Sequence, residues 1–189
     1  MSKIINNPNM KGLSGMLGNV VVFRESRGQL QMCNRPKRRI GTSQTQQAVI
    51  DKFAEAVAFA KGQMSDPVGK AEYQAMVGVR FSSAYGAAVA DCLSGPRIVN
   101  IDTTVYNGAI NEKITVKAVD NVRVAEVFVE LRSATDVLIE KGFAVKDPLN
   151  ELLWVYAATV ANAVLSGTKV IVTAKDKPNN QAVQEVVMA

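Results

Sequence analysis

Six basic side chains, Arg24, Arg27, Arg35, Lys37, Arg38 and Arg39, fall within sixteen positions, and only Glu25 opposes them. Guanidinium and ammonium groups at this density are suited to gripping anions, either the phosphates of a nucleic acid or the carboxylates of a protein face. The excess is local. Residues 1–96 hold twelve Lys and Arg against six Asp and Glu, whereas residues 97–189 hold ten against eleven. A charge serving solubility would be spread over the surface, so these six residues are expected to anchor the chain to a partner macromolecule.

Other chemistry is poorly provided for. The 189 residues include no histidine, which removes the commonest general base, metal ligand and triad member. Cys33 and Cys92 belong to no Cys-x-x-Cys or Cys/His pattern, so neither a zinc site nor a disulfide framework is expected, and both thiols read as small buried or half-buried fillers. Asp102, Glu112, Glu126, Glu130, Asp136 and Glu140 fall on expected strand exteriors and turns, where carboxylates are solvated. Gly12, Gly15 and Gly18 precede an expected strand; a phosphate loop needs its glycines after a strand and leading into a helix, with a Gly-Lys-Ser/Thr that is absent here. The chain therefore reads as a non-enzyme, with no catalytic, cofactor or metal residues expected. A nucleic-acid partner is the alternative for the basic cluster, but no aromatic residues are interleaved with it for base stacking, and no recognition helix accompanies it. A protein partner is preferred.

The elements that must carry the cluster follow from local pattern. Residues 1–17, rich in Asn, Gly and Met, show no periodicity and read as an extended arm that would reach roughly 55 Å at about 3.3 Å per residue. Asn19 to Arg24 is a β-branched run, Glu25-Ser26-Arg27-Gly28 supplies turn chemistry, and Gln29 to Cys33 alternates polar with apolar, predicting a β-hairpin that Pro36 ends. Ser43 with Gln46 forms a capping box, followed by Val49, Phe53, Ala56, Val57 and Ala60 at helical spacing, so a helix is predicted over about 44–62. Asp66-Pro67 opens a second helix, and a third, Ala-rich, runs from about Ser82 to Leu93 before Gly95-Pro96.

From Arg97 the period changes to two. Ile98 to Tyr106, Lys113 to Val119, Val124 to Arg132, Val137 to Val145, Leu152 to Val160, Thr168 to Lys175 and Val183 to Met188 are seven candidate strands. They are separated by turn pairs such as Asn107-Gly108 and Ser166-Gly167. Ile114, Val116 and Ala118 are expected to face inward, as are Trp154 and Tyr156. The expected class is α+β: an N-terminal β-hairpin plus helical domain (18–96) after the arm (1–17), followed by a C-terminal all-β immunoglobulin-like sandwich (97–189). No apolar run approaches the ~20 residues of a membrane-spanning helix. The first residues lack the apolar core of a secretory signal, so synthesis in the cytoplasm is expected.

Gly12, Ser14, Gly15, Gly18, Val20 and Val21, then Gly28, then basic residues around Pro36, then Gln47 and Phe53 follow in the order of a known N-terminal motif. The stretch resembles a bacterial and phage-associated family of unknown function over about the first 60 residues. Ser26-Arg27 stands where that motif has an aromatic-basic hairpin tip. Pairing such an N-terminus with an immunoglobulin-like end is similar to small virion proteins of tailed phages. The resemblance implies a structural, capsid- or head-associated protein in the virion, partnered by other structural subunits or by copies of itself; a self-polymerising bacterial structural protein is the alternative assembly.

Overall fold

The computed structural model describes residues 2–4, 12–26, 29–37, 41–78 and 80–188, with backbone alone for 2–4 and Ser26. Its class is mixed α+β, with three helices and three antiparallel sheets among the described residues. Residues 1–46 and 47–189 form two separate compact units.

In the first unit, β1 (Ser2–Ile4), β2 (Gly15–Leu17), β3 (Val21–Ser26) and β4 (Gln29–Asn34) make one sheet in the order β1-β4-β3-β2. The β3–β4 hairpin is the expected one, with Phe23 opposite Met32 and Arg24 opposite Gln31; its tip at residues 27 and 28 lies outside the described residues. The expectation of an extended arm over 1–17 is corrected in its described parts. Ser2 pairs with Met32 and Gly15 with Phe23, so the leader supplies both edges of its own hairpin sheet. An isolated two-stranded hairpin is marginal in water and leaves a row of unpaired N–H and C=O groups along each rim, which these two short strands occupy. Residues 5–11 lie outside the described residues. Gly18 and Asn19, both at φ +59°, turn the chain from β2 into β3, a left-handed conformation that glycine and asparagine adopt most readily.

Helix α1 (Gln44–Ser65) starts at the predicted capping box, with the Ser43 and Gln46 side chains each accepting the other's backbone N–H at 3.2 Å. Helix α2 (Pro67–Gln74) is capped by Asp66, which accepts from Val68 and Gly69, and α3 (Ala84–Leu93) by Ser83. A small core joins them: Ala60, Tyr73, Ala84, Ala87 and Ala88, with Phe59 and Met64 packed alongside. Alanines let the helices approach closely, but four alanines and one tyrosine bury little area.

Beyond α3 come β5 (Arg97–Asp102), β6 (Lys113–Val119), β7 (Val124–Arg132), β8 (Leu138–Phe143), β9 (Val145–Lys146), β10 (Leu153–Ala157), β11 (Lys169–Asp176) and β12 (Gln181–Val187). They form two sheets, β5-β6-β10-β9 and β12-β11-β7-β8. The predicted period of two is realised strictly on β6 and β11, whose buried residues alternate with partly exposed ones. Ile114, Val116, Ala118, Trp154 and Tyr156 from one sheet and Val127, Val129, Leu131, Val170 and Val172 from the other contribute to a single core, as expected for the first five. Burying each large aliphatic side chain there stabilises the fold by roughly 1.5–3 kcal/mol.

The expected boundary at 96/97 does not coincide with the division at 46/47. The reason is the size of the helical core. Val122, from the β6–β7 turn, packs against it; Asn121 Nδ2 donates to the Ala90 carbonyl at 2.8 Å, and an Arg80 guanidinium nitrogen donates to the Asn121 carbonyl at 2.9 Å. The helices therefore complete their burial on the turns of the sheets. One turn is especially intolerant of a side chain: Gly108 sits at φ +89°, and a Cβ there would lie 2.2 Å from the Asn162 carbonyl oxygen. Gly108→Ala is expected to cost roughly 2 kcal/mol or more, read as a lower urea midpoint with an unchanged m-value. No helix among the described residues is long and apolar enough to cross a membrane.

Candidate functional site

Of the six anchor residues, Arg27, Arg38 and Arg39 lie outside the described residues. Arg24 is exposed at mid-strand on β3. Arg35 and Lys37, just past β4, come together: with Asn19, Val20, Asn34 and Pro36 they line an open concavity of about 710 Å³. The Arg35 guanidinium donates to Asn19 Oδ1, and its backbone N–H donates to the Val20 carbonyl at 2.7 Å, so the β2–β3 turn fixes the direction of the basic segment. The concavity offers two cations and two amides, a surface suited to carboxylates or phosphates.

Apolar groups accompany this basic surface. Among the described side chains of residues 1–46 only Phe23 is a buried hydrophobic, while Leu13, Met16, Leu17 and Val20 are exposed. The residues at helical spacing on α1 differ in burial along its length. Ala56 and Ala60 are fully buried, but Val49, Ile50 and Phe53 keep 66%, 52% and 52% of their surface exposed. Only the C-terminal half of α1 supplies residues to the helical core, so the apolar stripe runs on past its partners.

A second site, which no spacing in the sequence indicates, lies inside the larger unit. On α3 the buried face is Ala84, Ala87, Ala88 and Asp91, spaced as one side of a helix, which carries the Asp91 carboxylate to 1% exposure. Its Oδ2 accepts from Tyr73 Oη at 2.6 Å, and its Oδ1 has no donor. Asp120, in the β6–β7 turn, accepts from Arg123 N at 3.2 Å through Oδ2 and likewise leaves a buried Oδ1 without a donor. Asp176, at the irregular end of β11, accepts from Asn180 N at 2.6 Å and Asn180 Nδ2 at 2.7 Å. One carboxylate oxygen from each of the three lies within 4.8 Å of the others.

Burial, reinforced by the neighbouring Asp120 and Asp176 carboxylates, pushes the Asp91 carboxyl up to about 7, although the Tyr73 hydroxyl works against the rise. Burial raises Asp176 too, and burial next to Asp91 drives the Tyr73 phenol far upward. The nearby bases do not relieve the acids. Lys177 Nζ lies 2.6 Å and an Arg123 guanidinium nitrogen 3.4 Å from the same Glu72 oxygen, which holds Glu72 below the usual carboxylate range, chiefly through the Lys177 hydrogen bond. Beside the aspartates, a pocket of about 270 Å³ is lined by Tyr73, Met76, Asp91, Val122, Arg123 and Lys177, among others.

The acidic residues singled out in the sequence are placed differently. Glu126 and Glu130 pair with Lys175 and Arg132, Asp136 with Lys169, and Asp102 and Glu112 bond backbone N–H groups of their own loops. Glu140 corrects the expectation of a solvated face: at 6% exposure on β8, its Oε2 accepts from Thr159 N, Thr159 Oγ1 and Val160 N. Tyr156 beside it is pushed up to about 12, by burial first and by the Glu140 carboxylate second. Cys33 and Cys92 are unpaired and half-buried.

No family model matches the chain, and no curated protein matches it. Among solved structures, similarity extends to CopC from Methylosinus trichosporium OB3b, at a TM-score of 0.36 and 13% identity over 48% of this chain and 87% of that one. It extends also to the catalytic module of the glycogen-degrading pneumococcal virulence factor SpuA, at 0.31 and 10% over 44% of this chain and 12% of that one. Likenesses of this size carry no functional argument.

Proposed function

We propose that the chain is a non-enzymatic assembly protein, a structural component of a phage virion such as an auxiliary capsid or head-associated protein. In this reading residues 1–46 dock on a neighbouring structural subunit, another virion protein or a copy of this chain, with Arg24, Arg27, Arg35, Lys37, Arg38 and Arg39 facing its carboxylates. The two C-terminal sheets form an immunoglobulin-like sandwich that is displayed or meets neighbouring copies.

One observation carries the reading: the four-stranded N-terminal sheet has a single buried hydrophobic side chain among its described residues. A unit of this size cannot offset its chain entropy with so small a core. Its exposed Met16, Leu17 and Val20 acquire a partner when a second subunit covers them, and the stripe of Val49, Ile50 and Phe53 on α1, in the other unit, is a separate contact to be covered. The basic residues then supply orientation and partner choice.

Phe53→Glu tests this directly. The side chain is half-exposed, so circular dichroism and thermal midpoint should stay at wild-type values, while incorporation into particles falls at least about tenfold. Unchanged incorporation would remove α1 from the docking surface.

A further inference from the structure

We infer that the carboxylates of Asp91, Asp120 and Asp176 form a binding site for a divalent cation of the calcium type, fastening α3 to the β6–β7 and β11–β12 turns. The site is independent of the docking surface proposed above.

The three oxygens are close enough to share one ion. Calcium takes oxygen ligands at roughly 2.4 Å, so two oxygens on one ion stand at most about 4.8 Å apart; magnesium, at about 2.1 Å, draws its ligands within about 4.2 Å. The three carboxylate oxygens here all lie within 4.8 Å of one another, so one calcium ion can reach all three, and a set of three protein carboxylates suits calcium better than magnesium, which keeps several of its waters. The donor set is purely oxygen, the hard-ligand chemistry of calcium and not of zinc or copper.

A second observation, separate from the proximity, also points to a ligand. Asp91 is 1% exposed, yet its Oδ1 accepts from nothing, and Asp120 Oδ1 is a second buried acceptor without a donor. Buried carboxylate oxygens ordinarily claim donors or cations. Among the described residues, no lysine or arginine forms an ion pair with any of the three aspartates, because Lys177 and Arg123 are both held by Glu72. A bound cation would satisfy both orphaned oxygens and offset the mutual repulsion of three carboxylates. Its ligands come from three separate elements of one compact unit, so its effect would be structural: a cross-link between the helices and the sheets.

Titration of the chelator-treated full chain with calcium chloride tests the site by two readouts. Calorimetry should show one site per chain. The thermal midpoint should rise by about 5 °C or more at a hundredfold excess over Kd, with magnesium giving a smaller shift. Asp91→Asn and Asp120→Asn should each abolish heat and shift, while Glu151→Gln, an exposed carboxylate outside the trio, should retain both. Absence of heat and shift up to about 10 mM calcium, beyond the weakest calcium modules, would overturn the inference. The inference falls equally if both aspartate variants respond like the wild type. Should one variant fail to fold, the other and the wild-type calorimetry still decide.

Discussion

Removal of residues 1–42 is expected to abolish incorporation into particles while leaving residues 43–189 folded, with a thermal midpoint close to that of the full chain. The cut keeps Ser43, so the capping box that starts α1 survives. Among the described residues both hydrophobic cores draw all their members from Phe59 onward, so no described residue that the deletion takes away belongs to them. What it removes is the sheet with a single buried hydrophobic side chain among its described residues and the whole basic cluster, which is why the effect should appear in assembly and not in stability. Scanning calorimetry of the truncated chain and quantitation of the protein in purified particles give the two readings. Truncated protein that still enters particles at wild-type occupancy would remove the N-terminal unit as the anchor.

Asp91→Asn should raise stability at pH 8 in chelator-containing buffer by on the order of 4 kcal/mol. The figure is the cost of ionising a carboxyl held at about 7 in the fold against an ordinary value of 3.8. Because the folded state binds this proton more tightly than the unfolded chain does, wild-type stability from this group is fully present below about pH 4. It is lost as pH rises from there through about 7. The groups facing Asp91 are the Tyr73 hydroxyl and the Asp120 and Asp176 carboxylates, with Asp176 itself raised by burial. The two bases nearest by, Lys177 and Arg123, are committed to Glu72. An asparagine keeps an acceptor for Tyr73 and brings an amide donor to a site where Asp91 and Asp120 each leave a carboxylate oxygen unmatched. The variant's stability should therefore vary less between pH 4 and 8, and in saturating calcium the ranking should invert. A variant less stable than wild type at pH 8 without calcium would show that the Asp91 charge is compensated in some other way.

Much of the architecture was legible because it is written in short-range pattern. The alternation of Ile114, Val116 and Ala118 with lysines and threonine places β6 without reference to any other strand, and Asp66-Pro67 announces the start of α2 through local capping chemistry. The features that escaped are those set by tertiary partners. Val49 and Phe53 have the spacing of a core face, but helical periodicity does not say how far along a helix its partners extend, and here they stop at Ala56. The pairing of Ser2 with Met32 and Gly15 with Phe23 escaped because residues rich in Asn and Gly carry no strand signal of their own; they are strands only because the hairpin has vacant rims. The aspartate trio is spread from position 91 to position 176, so no spacing rule brings it together. One trace was available: Asp91 is the lone charge in an otherwise apolar helix, and it falls in register with Ala84, Ala87 and Ala88.

Glu140 has a mechanical consequence. It lies on β8, an outer strand of one C-terminal sheet, while the three groups it holds belong to Thr159 and Val160, just past β10 of the other. Sliding the two layers past each other along the strand direction would have to break three bonds to one carboxylate oxygen at once. Traction on the chain would therefore meet a latch between the layers, in addition to the zipper of each hairpin. A chain pulled from its two ends would resist shear at that point and yield first elsewhere.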